Sequence, residues 1–162
     1  KSYHYKTIIT KPLIKSDKVI SSTKIRNLLR NGDIKKVNFL LNRDWEVNGK
    51  VIRGSQRGRK IGFPTCNIIL DKYVVPKSGV YAVKIRINST IKRGIANVGY
   101  RPTFNGKKLL LEVNIFGIKK NLYNKNLNVI FNKFIRPEKK FKNIKQLKQQ
   151  IKKDIKLAKS NV

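Results

Sequence analysis

From Trp45 to Ile135 the chain runs as short apolar stretches broken by turn-forming residues, and no other feature constrains its fold as much. The spacing predicts strands over 45–53, 80–88, 91–98, 109–116 and 127–135, with a short one near 66–70. Asn88-Ser89 suits a tight hairpin, and Asn105-Gly106 and Asn124 to Asn126 mark further turns. Several short antiparallel strands with close connections point to a small β-barrel.

The flanks read differently. Residues 1–20 hold one short β-like run, Tyr5 to Ile9, and a proline-containing connector. Ser21-Ser22-Thr23 then caps a helical segment with Ile25, Leu28 and Leu29 on one face, stopped by Asn31-Gly32. Asp33 is the N-cap expected for a second helix, whose buried stripe is Ile34, Val37, Leu40 and Leu41. Pro137 breaks the last strand. From Asn143 the period becomes helical, with Ile144, Leu147, Ile151, Ile155 and Ala158 on one face that is expected to pack on the barrel. The pattern changes near Asn42, so the expected division is 1–42 and 43–162. The chain has no Met and starts at Lys1, which is read as a piece of a longer protein.

Composition narrows the chemistry. A hydrophobic content of 40% supports a core, while the formal charge of +31 raises the question of a polyanionic partner. The cations are scattered, Lys exceeds Arg, and aromatics are not interleaved with them in a repeated way. The charge is therefore read as a compositional bias, and no specific nucleic-acid partner is expected. Cys66 is the sole cysteine and His4 the sole histidine, which excludes an intrachain disulfide, a cysteine-rich zinc site and histidine-based triads. No apolar run approaches transmembrane length and no signal peptide is evident, so a cytoplasmic setting is expected, with no membrane partner. The Asn88-Ser89-Thr90 sequon then marks only a turn.

The stretch Gly49 to Asn67, GKVIRGSQRGRKIGFPTCN, carries the most chemistry. Gly54, Gly58 and Gly62 let backbone N–H groups approach an anion, and Arg53, Arg57, Arg59 and Lys60 can neutralise phosphate charge. Simple surface solvation is the alternative for these cations and is the reading taken for Arg53 and Arg57. A Thr hydroxyl and an Asn carbonyl, at Thr65 and Asn67 behind Phe63-Pro64, are hard oxygen ligands of the kind Mg²⁺ accepts beside nucleotide phosphates. These residues describe a nucleoside-triphosphate site without a P-loop. The alternative is a proline-initiated turn whose Thr and Asn bond their own backbone. Glu112 is the candidate general base: Leu109, Leu111, Val113 and Ile115 alternate on one strand face, leaving Glu112 on the other with Leu110, Asn114 and Phe116. The alternative for Glu112 is a solvent-facing strand carboxylate. Of the 8 acidic residues most have bland settings, such as Asp33 as a cap, Asp71 in a turn and Asp154 on the terminal helix.

A series of motifs in order resembles the riboflavin kinase family. It runs Gly49-Lys50-Val51, Gly58 to Asn67, Gly79-Val80-Tyr81-Ala82, Asn97 to Phe104, Glu112 to Phe116, Leu122-Tyr123 and Arg136 to Phe141, followed by the closing helix, and it covers roughly residues 43 to 159. Ile20 to Arg26 resembles the segment that closes the FMN adenylyltransferase domain of the bacterial bifunctional riboflavin kinase/FAD synthetase. The resemblance implies a mainly β fold: a six-stranded antiparallel barrel with a C-terminal helix, preceded by a helical remnant of an α/β nucleotidyltransferase domain. It implies transfer of the ATP γ-phosphate to the 5′-hydroxyl of riboflavin, giving FMN and ADP, with Mg²⁺ as cofactor and an adenylyltransferase domain missing in cis.

Residue by residue, the resemblance implies Glu112 as catalytic base and Thr65 and Asn67 as metal ligands. It implies Gly54, Arg59, Gly62 and Pro64 at the ATP phosphates, and Arg136 and Asn97 on the flavin side. A strand-end charge is the alternative for Arg136. Asn97 and the Arg101-Pro102-Thr103 turn are candidates for shaping the pocket, with a purely structural turn as the alternative. Three positions depart from the family pattern: Cys66 where Ala is usual, Asn114 where His is usual, and Gly117 where Asp is frequent. Two other functions compete with the kinase: a flavin-binding module without turnover, and a basic nucleic-acid-binding barrel.

Overall fold

The computed structural model describes residues 6, 8–11, 13–15, 18–103, 106–118 and 120–161. A two-residue ladder, β1 (Ile14–Lys15) with β2 (Lys18–Val19), precedes helices α1 (Ser22–Asn31) and α2 (Ile34–Leu41). The barrel strands are β3 (Glu46–Lys50), β4 (Cys66–Ile69), β5 (Gly79–Ile87), β6 (Thr90–Thr103), β7 (Gly106–Ile115) and β8 (Asn126–Arg136). Helix α3 (Arg57–Lys60) interrupts the loop between β3 and β4, and α4 (Ile144–Lys159) closes the chain.

The caps are those the residue types specify. The Ser21 side chain accepts from the Lys24 N–H, Asp33 from Lys36 N–H and Asn143 from Gln146 N–H, each satisfying a donor that the first helical turn leaves free. Gly32 ends α1 with φ of 78°, a left-handed conformation that a side chain would oppose.

The six strands form one antiparallel sheet in the order β3-β8-β5-β6-β7-β4. An isolated bridge from Ile52 to Asn67 brings the two ends of the sheet together, so the barrel is nearly closed. Tyr81, Val83, Ile85, Val98, Leu111, Val113, Leu127, Val129 and Phe131 fill its interior. Leu29, Ile34 and Val37 of the two leading helices belong to the same buried cluster, so those helices are docked on the barrel. The outer face of β5, β6 and β8 is covered instead by α4, where Ala158 and Ile155 meet Val80, Ala82 and Ile95.

Several expectations change. The first barrel strand is Glu46–Lys50 rather than 45–53, because the chain leaves the sheet into the glycine-rich loop, which itself winds into a short helix. Strand β6 extends to Thr103, so Arg101-Pro102-Thr103 is not a turn but pairs with Lys108, Lys107 and Gly106. Pairing of β6 with β5 ends at Val98, so Pro102 lies where one side of the strand has no partner among the described residues and its missing N–H costs no ladder bond there. Of the run Tyr5 to Ile9, Tyr5 and Thr7 lie outside the described residues, and Lys6, Ile8 and Ile9 are not in a strand. Asn105 also lies outside the described residues.

Candidate active site

The registers of four strand pairs place the polar residues of interest in one line across the outer face of the barrel. Arg136 on β8 opposes Val80 on β5, Val80 opposes Asn97 on β6, Asn97 opposes Glu112 on β7, and Glu112 opposes Asn67 on β4. Directly opposed residues share a face with Cβ atoms about 5 Å apart. Five strands thus bring together side chains up to 69 positions apart in sequence (136 − 67 = 69). The line forms the floor of a cleft of about 750 Å³. One wall is the 55–65 loop, another is α4 with Leu147 and Ile151, and the segment carrying Glu138 and Phe141 closes a third side.

Glu112 projects from the outer face, as the alternation requires, while Leu111 and Val113 point into the core. Its carboxylate receives two bonds from one guanidinium: Arg101 Nε to Oε1 at 3.3 Å and Nη2 to Oε2 at 2.9 Å. Arg101 Nη1 reaches Glu138 Oε1 at 3.0 Å, and Asn97 Nδ2 donates to the same oxygen at 2.9 Å. Hydrogen bonding to Glu112 foremost, and then the charges of Glu112 and Glu138, hold the Arg101 pKa above its ordinary value against the effect of burial.

Asn67 is 7% exposed, yet its side-chain amide makes no hydrogen bond among the described residues, although buried amides are normally paired. Gly54 packs against it so closely that a Cβ there would overlap the amide, which is the physical need for glycine at that position. Thr65 lines the cleft two residues earlier, its hydroxyl likewise without a partner among the described residues. Asn114, on the Glu112 face of β7, donates through Nδ2 to the Pro64 carbonyl at 2.7 Å and so ties the glycine-rich loop to the barrel. Among the described residues no group of three His, Cys, Asp or Glu side chains could hold a metal, so a cation here would depend on neutral oxygens and on its ligand's own phosphates.

Thr65, Asn67, Asn97, Glu112 and Arg136 therefore meet in one cleft, whereas Gly54, Arg59, Gly62 and Pro64 do not line it. Their neighbours Ser55 to Gly58, Lys60, Ile61 and Phe63 do. Arg136 is committed to Asp154 of α4, with Nε 3.0 Å from both carboxylate oxygens and Nη2 2.7 Å from Oδ2, while Nη1 donates to the Pro137 carbonyl at 2.8 Å. One N–H on each terminal nitrogen remains for a ligand. Two members of the site carry no sequence signal of their own: Asp154 is no bland helix charge but 2% exposed, and Glu138 stands out only as part of a motif. Arg101, expected to shape the pocket from a turn, does so from strand β6. The available signal was the short supply of acidic residues in a chain with 39 cations, which makes each carboxylate inside a motif a candidate ion-pair partner.

A family model described as riboflavin kinase matches residues 41–162. A bifunctional riboflavin kinase/FMN adenylyltransferase of Bacillus subtilis is 44% identical over 146 residues, 88% of this chain and 46% of that protein. The chain thus spans about half the length of the curated relatives it matches. A solved structure from Streptococcus pneumoniae, described as a macrolide-efflux protein, superposes with a TM-score of 0.85 at 36% identity, covering 94% of this chain and 50% of that one. A riboflavin kinase from Trypanosoma brucei shares the fold at a TM-score of 0.52 and 22% identity, covering 71% and 77% of the two chains. With the barrel, its closing helix and the matched span in agreement, this chain belongs to the riboflavin kinase family.

Proposed function

We propose that the chain phosphorylates riboflavin, moving the ATP γ-phosphate to the 5′-hydroxyl to give FMN and ADP, and that residues 1–42 are the end of an adenylyltransferase domain that makes FAD in the longer protein. The observation that carries this reading is the line Asn67, Glu112, Asn97: a carboxylate held beside an amide that has no partner among the described residues, on the floor of a cleft.

Phosphoryl transfer asks the protein mainly for positioning and charge neutralisation. Glu112 accepts the proton of the 5′-hydroxyl as that oxygen bonds to the γ-phosphorus; the bond from the γ-phosphorus to the ADP oxygen breaks and its electron pair leaves with ADP. Each Glu112 oxygen bonded by Arg101 retains a further acceptor site for the hydroxyl. The Thr65 hydroxyl and the Asn67 amide oxygen suit Mg²⁺, which takes one or two protein oxygens and completes its shell with water and phosphate. When bound, the ion neutralises charge on the transferring phosphate. Arg57 and Lys60 on the loop wall supply further positive charge, and the remaining donors of Arg136, with Asn97 and the ring of Phe141, face the flavin side.

The test is incubation of the purified chain with riboflavin, ATP and Mg²⁺, with chromatographic separation of the flavins. FMN without FAD is expected. A folded chain that binds riboflavin but forms no FMN would overturn the reading in favour of a binding module.

A further inference from the structure

We propose that Arg101 is a positioning residue for this reaction: it sets the Glu112 carboxylate in place and couples that setting to the segment after β8 through Glu138. The inference rests on Glu112 being the base.

A free glutamate on an outer strand face samples several rotamers, and a base must be aligned with the proton it takes. Arg101 removes that freedom. Its Nε and Nη2 engage both Glu112 oxygens, a two-point contact that fixes the plane of the carboxylate as a single bond cannot. The other edge of the guanidinium is fixed too, with Nη1 on Glu138 Oε1 and on the Tyr100 carbonyl, each at 3.0 Å. The backbone makes room for this arrangement. Gly99 stands between Asn97 and Arg101 on the same strand face, and a Cβ there would overlap the Glu138 carboxylate and lie 2.8 Å from Arg101 Nη1. The guanidinium therefore lies back over a glycine to reach a carboxylate four ladder steps away, since Arg101 itself opposes Lys108. Glu138 belongs to the segment whose Lys139 and Phe141 border the cleft, so movement of that segment and orientation of the base share one guanidinium.

The test is steady-state kinetics of Arg101→Gln, Arg101→Lys and Glu138→Gln, with Arg101→Gln made also in a Glu112→Gln background. Arg101→Gln should lower kcat roughly 10- to 100-fold, the range expected when a reacting group is misplaced by about 1 Å, with the KM values for ATP and riboflavin little changed. Arg101→Lys should recover little, because an ammonium cannot form the planar fork. Beside Glu112→Gln the Arg101 change should add less than about threefold, because two residues acting as a unit are not additive. Losses that multiply in the double variant, or a loss confined to KM, would overturn the role of Arg101 while leaving the kinase reading intact. Full activity of Glu112→Gln alone would instead remove the base assignment, and Arg101 with it. Glu138 is half exposed, so Glu138→Gln keeps the barrel intact; an unchanged kcat there would overturn the coupling to the segment after β8.

Discussion

Replacing Asp154 by Asn is expected to loosen α4 from the barrel. Asp154 is 2% exposed and receives bonds from Arg136 Nε at 3.0 Å to each oxygen, from Arg136 Nη2 at 2.7 Å and from Gln150 Nε2 at 2.8 Å. Asn preserves the shape but removes the charge and one acceptor oxygen, and turns an NH₂ group toward neighbours that are all donors. Removing one partner of a buried ion pair costs about 3–5 kcal/mol, because the surviving charge stays desolvated. The Arg136 side chain keeps 20% exposure and its bond to the Pro137 carbonyl, which places the expected loss at the lower end, about 3 kcal/mol. For a chain of this size each kcal/mol lowers Tm by about 2–4 °C, giving a fall of roughly 6–12 °C. Thermal unfolding followed by circular dichroism reads this directly. A double change to apolar residues, Arg136→Met with Asp154→Leu, should restore most of the loss, since it leaves no unpaired charge. A fall under about 2 °C in the single variant would refute the argument, for it would mean that water already serves Arg136 there.

Three further outcomes follow from the same geometry. Glu112→Gln should lower kcat by roughly 100-fold or more while ATP binding, measured by calorimetry, stays near the original value. Asn114→Ala should free the Pro64 carbonyl from β7 and raise the KM for ATP, whereas Asn114→His should retain much of the affinity because an imidazole can also donate; equal KM in the alanine variant would refute the tether. Asp33→Ala should cost about 1 kcal/mol at neutral pH through loss of a helix cap. The Lys36 side chain above all holds the Asp33 pKa below its ordinary value, so this contribution is present above the unfolded pKa and disappears as pH falls through the folded one. Urea unfolding of both proteins should therefore converge in acid, and a constant difference across that range would contradict the cap assignment.

Much of the fold was legible because its signals are local. A strand alternates with period two and a helix with a period near 3.6, so Leu109 to Phe116 announced which side chains face inward, and Asn143 to Ala158 announced a helix with one apolar stripe. Caps and turns are equally local, since Ser21, Asp33, Asn143 and Gly32 act on backbone groups only a few residues away. The candidate site was legible only in part. Thr65, Asn67 and Glu112 could be named from motif and residue type, yet nothing local said that Asn97, Glu112 and Asn67 stand side by side.

Residue order alone specifies the six barrel strands in outline, three of the helices and the face each of their side chains takes. Which neighbour each face meets depends on packing between distant segments. Strand register is set by pairing between segments far apart in the chain, and β8 shifts twice against β5, opposite Val80/Tyr81 and Ala82/Val83, by steps that no periodicity reveals. Arg101 belongs to a strand because β7 pairs with it past a proline, and Asp154 is buried because α4 lies down on the barrel with that turn inward. A charged residue on a helix reads as solvated until packing removes its water, and it then persists only beside an opposite charge, here Arg136 at 2.7 Å.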